Sequence, residues 1–126
     1  MLKSFLITLI VFLGIDFVWL GLVARNFYKK ELSVLPQTFG LPAAFLAYIL
    51  IAAGIVIFVL PKSSGNIYKA LLWGAVFGLI TYGIYDFTNL ATLKGWSLKM
   101  LAVDILWGMF VCGVTSLLVT LVLNKF

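Results

Sequence analysis

Three aspartates lie within long apolar stretches of this 126-residue chain, where a carboxylate is energetically costly. Asp16 belongs to the first stretch, Asp86 to the third and Asp104 to the fourth. Acids in such surroundings usually face a cavity or a partner group, where they transfer protons or bind cations. We therefore interpret the three carboxyl groups as candidates for one polar binding site.

A tryptophan follows two of these acids at the same spacing. The segment IDFVWLG holds Asp16 and Trp19, and the segment VDILWGM holds Asp104 and Trp107. An indole N–H donates hydrogen bonds, and a carboxylate accepts them. If the first and last stretches are neighbouring helices of opposite direction, Asp16 lies level with Trp107, and Trp19 with Asp104. Two crossed Trp–Asp hydrogen bonds are then predicted; the alternative is an aromatic belt at a membrane interface.

The third stretch adds polar neighbours to its acid. Tyr82, Asp86 and Asn89 are spaced to share one face of a helix. The alternative is that the tyrosines of this stretch anchor the helix at the interface and that the asparagine marks a helix end. The adjoining polar positions of the same stretch are Tyr85, Thr88 and Thr92.

The basic residue with the best reach to these acids is Arg25, just after the first stretch. A pair with Asp86 is one possibility, and a solvent-exposed arginine is the other.

The chain contains no histidine, which excludes imidazole metal sites, His-ligated haem and Ser-His or Cys-His nucleophile pairs. The three acids lack the spacing of a metal-binding loop, so we expect neither a metal nor a cofactor.

The composition places the chain in the class of polytopic membrane proteins. Its residues are 64% hydrophobic and only 10% charged, far from the usage of soluble domains. A soluble fold of this size could not bury so much apolar surface. The net charge of +5 is scattered over loops and segment ends, so a nucleic-acid partner is not expected, whereas membrane lipids are.

Four apolar stretches approach the roughly 20 residues that a helix needs to cross a bilayer. The predicted fold is therefore an all-α integral membrane protein, with four transmembrane helices in an antiparallel bundle and both termini on the same side. Residues 1–126 form a single domain. The second stretch offers only Tyr48 as a polar group and is interpreted as a wall that faces lipid. The predicted spans are 4–24, 41–60, 70–93 and 99–123.

Residues at the ends of the stretches predict where the helices stop and how they pack. Pro61 is expected just past the second helix, because proline disrupts a helix interior. Gly95 is interpreted as a helix stop and Ser97 as the N-cap of the last helix. Gly74 and Gly78 form a GxxxG pattern, which predicts a close helix–helix contact.

Helix rise converts these positions into depths below the membrane face opposite the termini. At about 1.5 Å per residue, Asp16 and Asp86 lie up to about 12 Å from that face. Asp104 lies about 7–8 Å from it. The three acids are therefore expected within one leaflet.

The stretch YDFTNLATLKGW, residues 85–96, followed by VDILWG, residues 103–108, resembles a family of small bacterial membrane proteins, domain of unknown function 2177. The resemblance extends over nearly the whole chain. It implies a four-span protein of the bacterial inner membrane and supplies no established activity. The residues that it marks are Asp86, Thr88, Asn89, Thr92, Lys94, Trp96, Asp104 and Trp107.

Three functions are compatible with this pattern. The first is a pocket in one leaflet that binds or modifies a lipid-like or amphipathic small molecule, using the acids as acid, base or cation ligand. The second is a small proton- or cation-coupled transporter that works as a homodimer, an architectural analogy with the small multidrug exporters. The third is a non-catalytic membrane subunit whose acids only join helices through hydrogen bonds.

Overall fold

The computed structural model describes residues 1–23, 25–31 and 40–126, and the described chain is almost entirely helical. Helix α1 spans Leu2–Val18, and the π-helical segment Trp19–Val23 continues it. Position 24, the predicted end of the first span, lies outside the described residues. The remaining helices are α2 (Arg25–Glu31), α3 (Leu41–Gly54, continued by the π-helical Ile55–Val59 and the α-helical Leu60–Ser63), α4 (Ile67–Thr92) and α5 (Leu98–Lys125).

Within the described residues, four helices are long and apolar enough to cross a membrane. They measure 21, 22, 26 and 28 residues, in the order α1, extended α3, α4 and α5. A helix satisfies its own backbone hydrogen bonds, which is what a segment surrounded by hydrocarbon requires. The predicted number of spans and their helical nature are therefore confirmed.

The second span continues past the proline that was expected to end it. Pro61 lies at the start of the segment Leu60–Ser63, directly after the π-helical segment Ile55–Val59. The backbone N–H of Leu60 bonds to the carbonyl of Ile55, five residues earlier. Such a local widening accommodates a proline that has no N–H and would crowd an α-helical carbonyl. The helix stops instead at Ser64 and Gly65, which have positive φ angles of 51° and 79°.

The predicted signals around the last helix are confirmed. The hydroxyl of Ser97 accepts a hydrogen bond of 2.9 Å from the backbone N–H of Met100, so Ser97 caps α5. Gly95 has a φ of 97°, a conformation that residues with a side chain rarely adopt. The connection between α4 and α5 is consequently a tight turn, and Trp96 at its centre is directed back toward the helices.

The GxxxG pattern lies where α4 packs against α5. A methyl group on Gly74 would stand 2.6 Å from the carbonyl oxygen of Cys112, and one on Gly78 would collide with the backbone of Gly108. Two backbones this close need glycine at the crossing. As the residue number rises in α4 it falls in α5, so these two helices run in opposite directions.

The ends of the chain lie together at one end of the bundle. Lys3 donates a hydrogen bond of 2.9 Å to the carbonyl of Phe126, and Asn124 donates one of 2.9 Å to the carbonyl of Gly65. The start of α1, the end of α5 and the turn before α4 therefore share one level. This supports the prediction that both termini lie on one side of the membrane, which stays a prediction.

Helix α3 is not simply a wall that faces lipid, and that interpretation is wrong. Four of its apolar side chains, Ala52, Ile55, Val56 and Val59, are buried in the bundle. Lacking a hydrophilic face, the stretch carries no signal that separates its packed side from its lipid side. Its outward side is formed by exposed residues such as Phe45, Leu46 and Leu50.

Candidate polar site between the helices

Asp16 is the centre of a hydrogen-bonded group that joins three helices. Its Oδ2 accepts a bond of 2.6 Å from the hydroxyl of Tyr48 on α3. Its Oδ1 accepts a bond of 3.0 Å from the indole N–H of Trp107 on α5. Only 5% of the Asp16 surface is exposed. We call these three residues the Asp16 triad, and its Trp107 bond is one of the two that the sequence predicts.

Tyr48 is a residue of the candidate site that the sequence does not predict to lie there. It is the only polar group that the stretch 41–60 offers, and that stretch predicts a wall that faces lipid. A single hydroxyl in an otherwise apolar span was the available signal, because such a group seeks a partner inside the bundle. The structure supplies that partner on another helix.

Trp19 joins the triad through stacking. Its ring lies parallel to that of Trp107, with a centroid distance of 4.3 Å and an interplanar angle of 8°. Trp19 begins the π-helical segment of α1, one turn after Asp16. A π-helical turn changes the direction in which the following side chains leave the helix. The second crossed bond, from Trp19 to Asp104, stays a prediction.

Asp86 and Asp104 form a second acidic group, here called the acid pair. The carboxyl of Asp86 lies beside that of Asp104 and beside the indole of Trp96. Asp86 is 0% exposed, yet neither of its oxygens has a hydrogen-bond partner of acceptable geometry within the described residues. The indole N–H of Trp96, 8% exposed, is likewise unpartnered there. Buried polar groups without partners are rare and point to a role beyond packing.

A cavity of about 520 Å³ opens between α1, α3, α4 and α5. Asp16 and Asp104 both line it, so the cavity connects the triad with the acid pair. Asp86 is not among the lining residues and lies next to Asp104, which is. Aromatic rings and aliphatic side chains form most of the wall. The lining includes Leu20, Ala44, Ala47, Tyr48, Leu50, Ile51, Thr81, Tyr82, Tyr85, Met100 and Trp107.

A second recess, here called the groove, lies between α1 and α5 and measures about 910 Å³. Its lining is apolar and includes Ile10, Gly14 and Phe110. Trp107 lines both the groove and the cavity. The stacked indoles of Trp19 and Trp107 therefore form part of the partition between the apolar groove and the acid-lined cavity.

The structure brings some of the predicted residues together and leaves others apart. Tyr82 packs on Gly108, and Tyr85 meets the Trp96 ring edge-on at 5.8 Å; both tyrosines line the cavity. Asn89, one turn after Tyr85, is half-buried. The exposed residues that do not reach the cavity are Thr88, Thr92, Lys94 and Arg25.

The suggested pair between Arg25 and Asp86 is wrong. Arg25 begins the separate helix α2 and is exposed, whereas Asp86 is completely enclosed and unpartnered among the described residues.

Thr92 donates its hydroxyl proton to the carbonyl of Thr88 at 2.8 Å, so its hydroxyl group bonds within its own helix. In residues 1–23, 25–31 and 40–126 no three potential metal ligands cluster.

Comparison with known proteins gives one match. A family model described as a predicted membrane protein, domain of unknown function 2177, matches residues 1–121. That range includes the Asp16 triad, the acid pair and every residue that lines the cavity. Neither the curated proteins nor the solved structures gave a match.

Proposed function

This chain belongs to the family of predicted membrane proteins called domain of unknown function 2177, and from that premise we propose that it binds a lipid-like or amphipathic small molecule in the cavity. The main support for this proposal is the cavity, which has a volume of about 520 Å³. Its wall is mostly apolar, and two carboxyl groups line it. An acyl or alkyl chain fits such a wall, and a polar head fits the carboxyl groups. Ligand sites commonly combine apolar walls with a few placed polar groups.

Asp86 is buried without a hydrogen-bond partner among the described residues, which supports a functional rather than a purely structural role for the acids. Asp16 is accounted for by its two donors, which hold α1, α3 and α5 together. Asp86 makes no such contribution within the described residues, because its oxygens lack partners. A non-catalytic subunit that used acids only to join helices would gain nothing from this residue. The acid pair therefore favours a binding or proton-transfer role.

Cavity occupancy can be tested without altering any acid. Ala44 lines the cavity, whereas its neighbour Ala43 is exposed and does not. Wild type, Ala44→Phe and the matched control Ala43→Phe are purified in mild detergent, and co-purifying amphiphiles are identified by native mass spectrometry. We expect wild type and Ala43→Phe to carry the same bound species and Ala44→Phe to lose it. Equal retention by all three proteins would contradict binding in the cavity.

The lipid profile of a deletion strain distinguishes binding of a lipid from its chemical modification. If the chain modifies a lipid, deleting it changes the lipid profile of the host, and re-expression restores that profile. If it only binds, the profile stays the same while purified protein still carries the ligand. A deletion profile that wild type restores but Asp104→Asn does not would assign the acid pair to the reaction.

A small proton- or cation-coupled transporter that works as a dimer is the second candidate, and the enclosed acid pair is the observation that favours it. Two adjacent carboxyl groups can exchange a proton for a cation. Transport is tested by reconstitution in vesicles with an imposed proton gradient. Uptake that requires the gradient would favour transport, whereas binding without uptake would exclude it.

We propose the bacterial inner membrane as the location, as the resemblance of residues 85–96 and 103–108 implies. Fractionation of cells that express a tagged chain tests this. Recovery in the inner-membrane fraction is expected, and recovery in the outer membrane would contradict it.

A further inference from the structure

The cavity presents acids and aromatic rings to whatever enters it. Asp16 and Asp104 contribute oxygens, and Tyr48, Tyr82 and Tyr85 contribute ring surfaces. Among the described residues, no lysine or arginine lines the wall. Carboxylates together with aromatic faces are the groups that attract organic cations. An anionic head, in contrast, would meet no compensating charge there.

Asp86 and Trp96 have unused hydrogen-bonding capacity next to Asp104, which lines this wall. Both oxygens of Asp86 and the N–H of Trp96 lack partners within the described part of the chain. Asp104 lies beside Asp86 and also lines the cavity, so it connects the enclosed acid to the entering molecule. Two carboxyl groups that lie side by side can bind one proton or one cation.

We propose that the cavity selects an amphiphile with a cationic amine or ammonium head, and that this head replaces one proton carried by the acid pair. This inference rests on the proposed function and names its ligand class. No covalent bond changes: the cation enters, the proton leaves to water, and the total charge of the site is conserved. The head then lies against Asp104 and the tyrosine rings, with its chain along the apolar wall.

The groups around the pair are consistent with this exchange. From α4 the pair is faced by Tyr82 and Tyr85, and from the turn between α4 and α5 by Trp96. Across the cavity, α1 contributes Asp16 and α3 contributes Tyr48. Asp16 already accepts two hydrogen bonds, one on each carboxyl oxygen. Asp86, in contrast, has no donor on either oxygen within the described residues, so we assign the exchange to the acid pair.

The test uses the whole chain in nanodiscs of uncharged phosphatidylcholine. Three probes share a chain length and differ in the head: decyltrimethylammonium, decyl maltoside and decyl phosphate. Calorimetry in two buffers of different protonation enthalpy gives the affinity and the number of protons released, with empty nanodiscs as blank. The variants are Asp86→Asn and the control Glu31→Gln, which makes the same acid-to-amide change at the end of α2, outside the four long helices.

We expect the cation to bind at least about tenfold more tightly than the neutral or anionic probe, with one proton released. Its affinity should then rise about tenfold per pH unit, as linkage to one proton requires. Asp86→Asn should abolish the proton release, and Glu31→Gln should behave as wild type. Because Asp86→Asn could fail to fold, infrared spectra of wild type alone provide a second measurement. The band of a protonated carboxyl should disappear when the cation binds.

Other outcomes separate this inference from the proposed function. If the neutral probe binds as tightly as the cation, or if no proton is released, the cation–proton exchange is wrong and amphiphile binding stands. If no probe binds while wild type still carries a native amphiphile that Ala44→Phe loses, the ligand class alone is wrong. If neither probe nor native amphiphile is found, the proposed function fails with it.

Discussion

Asp16 on α1 accepts a hydrogen bond of 3.0 Å from the indole of Trp107 on α5, across 91 positions of the sequence. The second oxygen of Asp16 is occupied by Tyr48 at 2.6 Å. One carboxylate thus connects the first, second and last membrane-spanning helices on the side of the bundle where the cavity opens. This connection gives the Asp16 triad a structural role, whereas the acid pair carries the proposed function, and the two groups can be tested separately.

Removing the Tyr48 hydroxyl should weaken the bundle by a measurable amount. Tyr48→Phe keeps the ring and deletes only the donor to Asp16. Hydrogen bonds between membrane helices contribute about 1 kcal/mol, so we expect a loss of that size in the free energy of unfolding in detergent. Tyr68→Phe makes the same change on an exposed ring and should have no effect. Equal stability of Tyr48→Phe and wild type would contradict the role assigned to the triad.

The coupling between Asp16 and its donors should appear in a double-mutant cycle. Asp16→Asn and Trp107→Phe each disturb the same bond, so their combined effect on the unfolding free energy should be smaller than the sum. We expect a coupling of about 0.5–2 kcal/mol. The cycle is measured by denaturation in mixed micelles. As a control, Asp16→Asn combined with Trp73→Phe should be additive, because Trp73 lies below Lys62 in a separate cation–π contact.

Replacing Asp86 should impair ligand binding without lowering the stability of the protein, in contrast to changes in the Asp16 triad. Its oxygens have no partner in the described residues, so Asp86→Leu removes a buried polar group without breaking a bond. We expect the free energy of unfolding to stay the same or to rise by about 1 kcal/mol. The same variant should lose the bound amphiphile in native mass spectra. A large loss of stability would show that Asp86 is a structural residue.

Two glycines should respond differently to the same substitution. A methyl group on Gly78 collides with the Gly108 backbone, whereas one on Gly14 meets nothing within 4 Å. We therefore expect Gly78→Ala to destabilise the protein by about 1–3 kcal/mol through overpacking. Gly14→Ala should be neutral or slightly stabilising, because alanine favours helix. Melting temperatures in detergent measure both, and similar effects would contradict the packing of α4 on α5.

Much of the architecture follows from the sequence alone. The chain of 126 residues has long apolar runs, and in lipid a run of this kind forms its backbone hydrogen bonds internally as a helix. Local chemistry then places Gly95, Ser97 and the GxxxG pattern of Gly74 and Gly78 correctly. The end of the second span was misplaced because the effect of Pro61 depends on whether the preceding turn widens. That adjustment is decided by packing rather than by the proline.

The bond from Trp107 to Asp16 was predictable because helix rise and opposite direction place the two residues at one depth. Depth alone does not determine which helices are neighbours or which way a side chain rotates about its axis. For that reason the sequence does not place Tyr48 in the site, it suggests Arg25 as a partner of Asp86, and it groups Thr88 and Thr92 with the polar face of Asp86. An apolar run has no polar face to record its orientation, so only tertiary packing decides which of its residues face the cavity.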